Sequence, residues 1–240
     1  MSGPPDLEFV IPVYNEGRNI LACLRAIKEK VATPYRVLIC YDFDEDDTLP
    51  ALHDPSLAGV NIKLVKNPGR GPHRAIRAGF AASTAPAVLM YPADDEYNAG
   101  VVDGMVEKFR AGAEIVAASR FMPGGGGLEG CPLMKALIVK VADFLLYHLA
   151  RVPTHDASNG FRLFSRRVLD DIPIQSTLGF TYSIELLVKT HRKGWRIDEV
   201  PVQWFERTDK SSRFKLIKWI PAYLPWFFYA FATTWLRRRV

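Results

Sequence analysis

The chain has 240 residues, of which 48% are hydrophobic and 24% charged, and a formal net charge of +5. That length suits one large domain or two small ones, and the balance excludes native disorder, which combines low hydrophobicity with high charge. The 17 Gly and 17 Pro follow no repeat period, which excludes collagen-like and solenoid architectures.

Cys23, Cys40 and Cys131 cannot all pair with one another, and none has zinc-ligand spacing, so a reducing compartment is expected. Met1 to Asp6 hold neither a basic nor an apolar stretch, and residence on the cytoplasmic side is expected. Leu7 to Val13 is an apolar run that predicts a strand. Glu16 to Lys30 then places Ile20, Leu21, Leu24 and Ile27 on one helical face. The alternation continues with strands at Tyr35 to Tyr41 and Ile62 to Val65, a helix at Ala75 to Ala82, a strand at Ala87 to Tyr91, a helix at Val101 to Arg110 and a strand at Ile115 to Ala118. Short apolar strands separated by helices predict an α/β, mostly parallel sheet covered on both faces. Beyond residue 120 follow a mobile glycine loop at Gly124 to Gly127, a helix at Leu133 to Leu149, and strands at Phe161 to Phe164 and Ile197 to Val202.

Ligands of such sheets sit beyond the carboxyl ends of the strands. Four successive ends carry Tyr14-Asn15-Glu16, the acidic run Asp42 to Asp47, Asn67 to Gly71, and Asp94-Asp95-Glu96. Most acids of the second loop are expected to be solvated, and Asp42, which directly ends its strand, is the one expected to contact the nucleoside of a nucleotide. The glycines of the third loop let backbone N–H groups approach a phosphate, with Arg70 adding charge; a plain helix-starting turn is the equal alternative. Asp94, Asp95 and Glu96 are either ligands or a solvated turn opening the next helix.

These residues resemble the inverting family 2 glycosyltransferases of the GT-A fold, and within them the dolichol-phosphate mannose synthase-like branch. The likeness covers about residues 7 to 213. Ile11-Pro12-Val13-Tyr14-Asn15-Glu16 resembles the family's opening strand and nucleotide-contacting turn. Asp42, Asp46 and Thr48 fall on its second-loop pattern, although Tyr41 replaces the first acid, and Asn67, Gly69 and Gly71 match its N-x-G-x-G turn. Asp156 to Arg162 is similar to its D-x-S-x-G-F-R segment, and Glu199-Val200-Pro201 with Arg207 and Ser212 to its E-V-P segment.

The resemblance implies a nucleotide-sugar site at Pro12, Tyr14, Asn15, Glu16, Asp42, Asn67, Arg70 and Asp94. It also implies Mg2+ or Mn2+ at a D-x-D triplet ending strand four, but that triplet here reads Pro92-Ala93-Asp94. A magnesium-type ion needs one or two carboxylates plus phosphate oxygens, so Asp94 with Asp95 or Glu96 is the expected set. Arginine forks grip phosphate oxygens. Of Arg120, Arg162, Arg207 and Arg213, the two that follow strands, Arg120 and Arg207, are expected to hold a diphosphate or an acceptor phosphate. Asp156 is the expected base. For a phosphate acceptor, already anionic at neutral pH, it would instead orient the acceptor or hold metal. His155 is expected to be a solvated loop residue.

The sequence thus predicts a GT-A catalytic domain over residues 1–212 and an apolar, aromatic-rich segment over 213–240. Trp219 to Leu236 carries no charge and is flanked by Lys215, Lys218 and Arg237 to Arg239. Pro221 and Pro225 argue against a span, while Trp219, Tyr223, Trp226 and Tyr229 fall on one helical face. An in-plane helix with aromatics at headgroup depth is the preferred expectation; a core helix and a true span stay open. Leu133 to Leu149 is a second amphipathic candidate, equally explained by packing on the domain.

The leading expectation is transfer of a hexose from a nucleotide-sugar to a lipid phosphate at the cytoplasmic face of a membrane, peripherally or weakly integrally bound. The alternatives are a soluble transferase with a saccharide or small hydroxyl acceptor, and a catalytically silent binding protein. Nucleic acid is not an expected partner, because the basic residues form no interleaved patch; a homo-oligomer is compatible with this reading.

Overall fold

A computed structural model of the chain describes residues 5–204 and 216–236. Arg207, Arg213 and Arg237 to Arg239 lie outside the described residues. Seven strands form one sheet: β1 (Leu7–Pro12), β2 (Tyr35–Tyr41), β3 (Ile62–Lys66), β4 (Ala87–Met90), β5 (Ile115–Ser119), β6 (Arg162–Ser165) and β7 (Ile197–Pro201). Their order is β3-β2-β1-β4-β6-β5-β7. Each matches its sequence expectation to within a residue at either end. All neighbours pair in parallel except β6, which runs antiparallel to both β4 and β5.

The continuous apolar strands follow from having both sheet faces covered. Phe9 and Ile11 of β1 join the core formed with α1 (Ile20–Lys30) and α4 (Val102–Arg110), against which Ala51 of α2 (Thr48–Ala51) packs, while Val10 between them joins the opposite core. That second core is built with α3 (Pro72–Ala82), α6 (Arg166–Asp171), α7 (Thr181–Arg192) and α8 (Leu216–Trp235), and Leu146 of α5 (Leu133–His148) enters it. At Gly79, α3 lies so close to the sheet that a Cβ would meet Val10 Cγ1 at 2.5 Å.

The direction of β6 matters for the site. Arg162, its first residue, is level with Met90 near the carboxyl end of β4 and with Ala117 of β5. The segment leading into β6, residues 154–161, therefore arrives at the sheet edge where the other loops meet. Arg162 itself is fully buried: its guanidinium donates to Ser183 O and Oγ and to Asp156 O, and burial lowers its pKa to about 10. It is a brace between β6 and α7, and a phosphate cannot reach it.

The aromatic stripe of α8 does not face outward. Tyr223, Trp226 and Tyr229 pack on the second core, Lys189 of α7 lies 5.0 Å from the Trp226 ring, and Arg192 lies 3.3 Å from the Tyr229 centroid and donates to Thr233 Oγ1. Trp219 presses against Gly179, where a Cβ would come within 2.8 Å of the ring and where φ is +54°. The helix thus packs against α7 on one side, while Leu224, Phe228, Trp235 and Leu236 stay exposed. The helix also runs through Pro221 and Pro225. Tertiary contacts of this kind outweigh the roughly 3 kcal/mol that an interior proline costs. Among the described residues no helix is long and apolar enough to cross a membrane.

Candidate active site

The turn after β1 is held by the loop after β2. Asn15 and Gly17 both adopt positive φ, 52° and 54°. The buried Asp46 carboxylate accepts the Asn15 N–H at 3.2 and 3.1 Å, Thr48 Oγ1 accepts that of Glu16 at 3.0 Å, and Asp47 that of Gly17 at 2.8 Å. Three successive backbone donors are thereby fixed next to Tyr14. Tyr14 is 48% exposed and meets Phe43 edge-on at 5.6 Å. Asp44, Glu45 and Asp47 are exposed as expected, but Asp46 is a buried clamp.

Asp42, half-buried at the end of β2, joins the turn after β3. It accepts Asn67 Nδ2 at 2.6 Å and the Gly71 N–H at 2.8 Å, while Asn67 Oδ1 accepts the Gly69 N–H at 3.0 Å. Gly71, at φ +90°, opens α3 in a conformation that side-chain-bearing residues rarely adopt. Arg70 is exposed on this turn. Two of the expected nucleotide contacts, Asp42 and Asn67, are thus bonded to each other.

After β4 the three acids separate into two kinds. Asp95 turns into its own loop, accepting the N–H groups of Tyr97 and Asn98 at 3.0 and 2.9 Å and Asn98 Nδ2 at 2.8 Å. Burial raises its pKa against the lowering effect of these bonds. Asn98 in turn exchanges hydrogen bonds with the backbone of Gln203, at 3.0 and 2.9 Å, and so ties this loop to the chain beyond β7. Asp94 and Glu96 are exposed on either side of Asp95. Asp95 therefore braces its own loop, and of the three acids expected to hold a cation Asp94 and Glu96 are the exposed ones. Among the described residues no cluster of three or more metal-binding side chains occurs. Two exposed carboxylates suit a magnesium-type ion that takes its remaining ligands from water and from the phosphates of a bound nucleotide.

The end of β5 meets the segment before β6. The Asp156 carboxylate, fully buried, accepts Arg120 Nε at 2.6 Å, Nη2 at 2.8 Å and the Arg120 backbone N–H at 3.0 Å, together with Ser158 Oγ and the Asn159 N–H at 3.0 Å each. Burial acts to raise its pKa, but the Arg120 charge and hydrogen bonds outweigh that, and the carboxyl is held below its ordinary value. A general base must reach the proton it removes. This carboxylate is fully buried and accepts from five donors, so in the ligand-free site it anchors Arg120. The guanidinium lies 5.2 Å from the Phe121 ring and 5.4 Å from that of Trp204. The glycine run is not a loose loop here. Gly127 N–H donates to Arg120 O at 2.9 Å, a Cβ on Gly125 would meet the same oxygen at 2.5 Å, and Gly126 lies against Gln203. His155, expected to be solvated, is half-buried, stacked on Tyr147 at 3.9 Å and bonded to Glu199.

Sequence reasoning missed Asp143, the one acid of α5. It is 3% exposed; Oδ2 lies 3.0 Å from Ser158 Oγ, whose single proton Asp143 and Asp156 compete for, and Oδ1 has no partner. Burial, followed by the nearby Asp156 charge, pushes its carboxyl well above the usual range despite Arg120. A lone acid in an apolar helix was the available signal. Because folded Asp143 has a higher pKa than in the unfolded chain, where it is about 3.9, its contribution is complete below that pH and is lost as pH rises toward the raised folded value. Asp143→Asn removes this titration, so its melting temperature relative to wild type should climb as pH rises above about 4; a constant difference would contradict the raised pKa.

The loops after β1 to β5 and β7 leave the α/β sheet at one edge, and the class follows from similarity to known proteins. The glycosyl transferase family 2 model matches residues 8–173, and the chain belongs to that family: it is a glycosyltransferase. An uncharacterized glycosyltransferase of Mycobacterium tuberculosis is 30% identical over 206 residues, covering 85% of this chain and 87% of that protein. The dolichyl-phosphate hexose transferase of Haloferax volcanii is 25% identical and covers 86% of each chain. The polyprenol monophosphomannose synthase of Mycolicibacterium smegmatis is also 25% identical, over 88% of this chain and 85% of that one. In structure, the chain is similar to the GT-A glucosyl-3-phosphoglycerate synthase of Mycobacterium tuberculosis, solved with Mn2+, UDP and glucosyl-3-phosphoglycerate. The TM-score is 0.65 at 19% identity, covering 86% of this chain and 73% of that one.

Proposed function

We propose that the enzyme transfers a hexose from a nucleotide-diphosphate sugar to a polyprenyl phosphate at a membrane surface, with inversion at the anomeric carbon. The observation that carries this reading is the closure of Asp156 on Arg120. A hydroxyl acceptor needs a base, whereas a phosphate monoester, with a second pKa near about 6, attacks as the anion it already is. The names of the two 25% identical relatives support the same acceptor class.

An acceptor phosphate oxygen forms the new bond to the anomeric carbon, the bond from that carbon to the donor diphosphate breaks, and the electron pair leaves with the nucleoside diphosphate. No proton is removed. The turns braced by Asp46 and Asp42 receive the nucleoside, with Pro12, Tyr14, Asn15, Glu16 and Asn67 around it and Arg70 at its phosphates. Arg120, held rigid by Asp156, faces the anionic groups as a preorganised cation. Asp94 and Glu96 would hold Mg2+ or Mn2+, which supplies charge neutralisation for the leaving diphosphate. The Mn2+ and UDP bound by the structural neighbour support a donor and ion of this kind.

The test is incubation of the intact protein in detergent with radiolabelled UDP- and GDP-hexoses and a polyprenyl phosphate. The expected product is a charged glycolipid that partitions into organic solvent. Label passing instead to a water-soluble acceptor would overturn the lipid reading, and no turnover with any donor would overturn the transfer.

A further inference from the structure

Asp143 of α5 and the Arg120–Asp156 pair meet at one hydroxyl. Ser158 Oγ lies 2.7 Å from Arg120 Nη2, 3.0 Å from Asp156 Oδ1 and 3.0 Å from Asp143 Oδ2. A serine hydroxyl has one proton to give and two lone pairs that receive. Arg120 can only donate, so it takes one lone pair. The single proton then serves one carboxylate, and the other, if ionised, is left facing an acceptor inside the protein. One arrangement leaves nothing unpaired at this oxygen: Asp143 carries a proton on Oδ2 and donates it to Ser158 Oγ, which donates its own to Asp156 Oδ1. We infer that Asp143 is a positioning residue for Arg120, acting through Ser158 as a neutral acid that completes the hydrogen bonds beside the guanidinium and leaves the cluster one positive charge for an anionic ligand.

Charge supports the same state. Among the described residues, the charged groups that face Asp143 are Arg120 from the turn after β5, Asp156 from the segment before β6 and Arg162 from the start of β6. Lys140 and His148 of α5 itself are exposed. With Asp143 neutral, two guanidiniums stand against one carboxylate. Ionised Asp143 would cancel the remaining charge. Burial and the Asp156 charge push the Asp143 carboxyl up, Arg120, Ser158 and Arg162 act against them, and the raised value prevails.

The guanidinium also keeps a side for a ligand. Its Nε and Nη2 are committed to Asp156 and Ser158, whereas Nη1 has no hydrogen-bond partner among the described residues. That the ligand is the acceptor phosphate rests on the reading proposed above; the hydrogen-bond chain does not.

The experiment uses the intact chain and two probes, sulfate and polyprenyl phosphate in detergent, from about pH 5 to about pH 9, the range in which a buried carboxyl titrates. Sulfate keeps a constant charge throughout. Its affinity is read from the rise in melting temperature with concentration, against sodium chloride of equal ionic strength, and that of the lipid from KM. Asp143→Asn keeps the shape, has an N–H for Ser158 and cannot ionise, whereas Asp143→Leu loses the bond. Relative to Asp143→Asn, wild type should bind sulfate more weakly as pH rises, by up to about tenfold per unit once the neutral form is the minority. Asp143→Leu should bind about five- to tenfold more weakly than Asp143→Asn at every pH, and KM for polyprenyl phosphate should follow the same order with kcat changing less. Should Asp143→Leu not fold, Ser158→Ala cuts the same chain and takes its place.

A merely structural Asp143 would lower the melting temperature of the Leu variant without moving either affinity, and that result would overturn the inference. So would an Asp143→Asn enzyme that keeps the pH dependence of wild type. A wild type as flat as Asp143→Asn, beside a weakened Asp143→Leu, would support it, the proton being held across the range. Sulfate affinities that follow Asp143 without transfer to polyprenyl phosphate would overturn the proposed function and leave Asp143 in its role. Transfer to that lipid with both affinities indifferent to the Leu variant would do the reverse.

Discussion

Asp156→Asn is expected to lower the melting temperature by on the order of 10 °C and to reduce turnover in the same variant. The amide keeps the shape but presents N–H groups to a guanidinium that is itself all donors, leaving Arg120 buried and unpaired. Breaking one half of such a pair costs about 3–5 kcal/mol. Calorimetry and a transfer assay on the same sample decide between an anchor and a base. A base lost from an intact fold would leave the melting temperature where it was, and that outcome would reinstate Asp156 in the proton chemistry. The pH dependence adds a second check. A carboxyl held low in the folded state contributes its stability above the unfolded value near about 3.9 and loses it as pH falls through the lower folded value. Wild type should therefore weaken on the acid side, and the Asn variant should lack that component.

Asp94→Ala and Glu96→Ala should each cut turnover by about two to three orders of magnitude with the fold intact, the range seen when a single preorganised electrostatic group is removed from a transfer site. Both should also abolish any Mn2+-dependent stabilisation of the protein by UDP. Asp95→Ala should behave differently, because it loses three hydrogen bonds that open the next helix and connect to Gln203 through Asn98. Its signature is a stability loss of roughly 1–2 kcal/mol with a smaller change in turnover. A thermal-shift titration of UDP with and without Mn2+ separates the cases, and Asp95→Ala matching Asp94→Ala in metal response would return Asp95 to the ligand set.

The sheet was legible because β1, β2, β4 and β5 are short, mostly apolar runs bounded by polar, glycine or proline residues, and period and punctuation agree. The helix α7 was not singled out, and its burial explains why. Thr181, Tyr182, Ile184, Glu185, Leu187 and Val188 are all buried, so no polar stripe sets off an apolar one. Site positions were legible as loops but not as roles. Asp156 and Arg120 are 36 positions apart, Asp42 and Gly71 are 29 apart, and an acid gives no local sign that a distant donor will close on it. The spacing of Trp219, Tyr223, Trp226 and Tyr229 correctly marks one helical face. Spacing cannot distinguish a bilayer from α7 as the thing that covers it.

The seating of α8 bears on how the protein is handled. Arg192, Lys189 and Gly179 all make their closest aromatic contacts with that helix, and Ala230 is fully enclosed. A chain shortened before residue 216 would bare the flank of α7 and part of the second core to water. Such a product would precipitate for want of its own helix, and a detergent requirement acquired that way would mimic a membrane protein's. Surface substitutions on the intact chain avoid the artefact, and a purification tag at the amino end leaves the closing helix undisturbed.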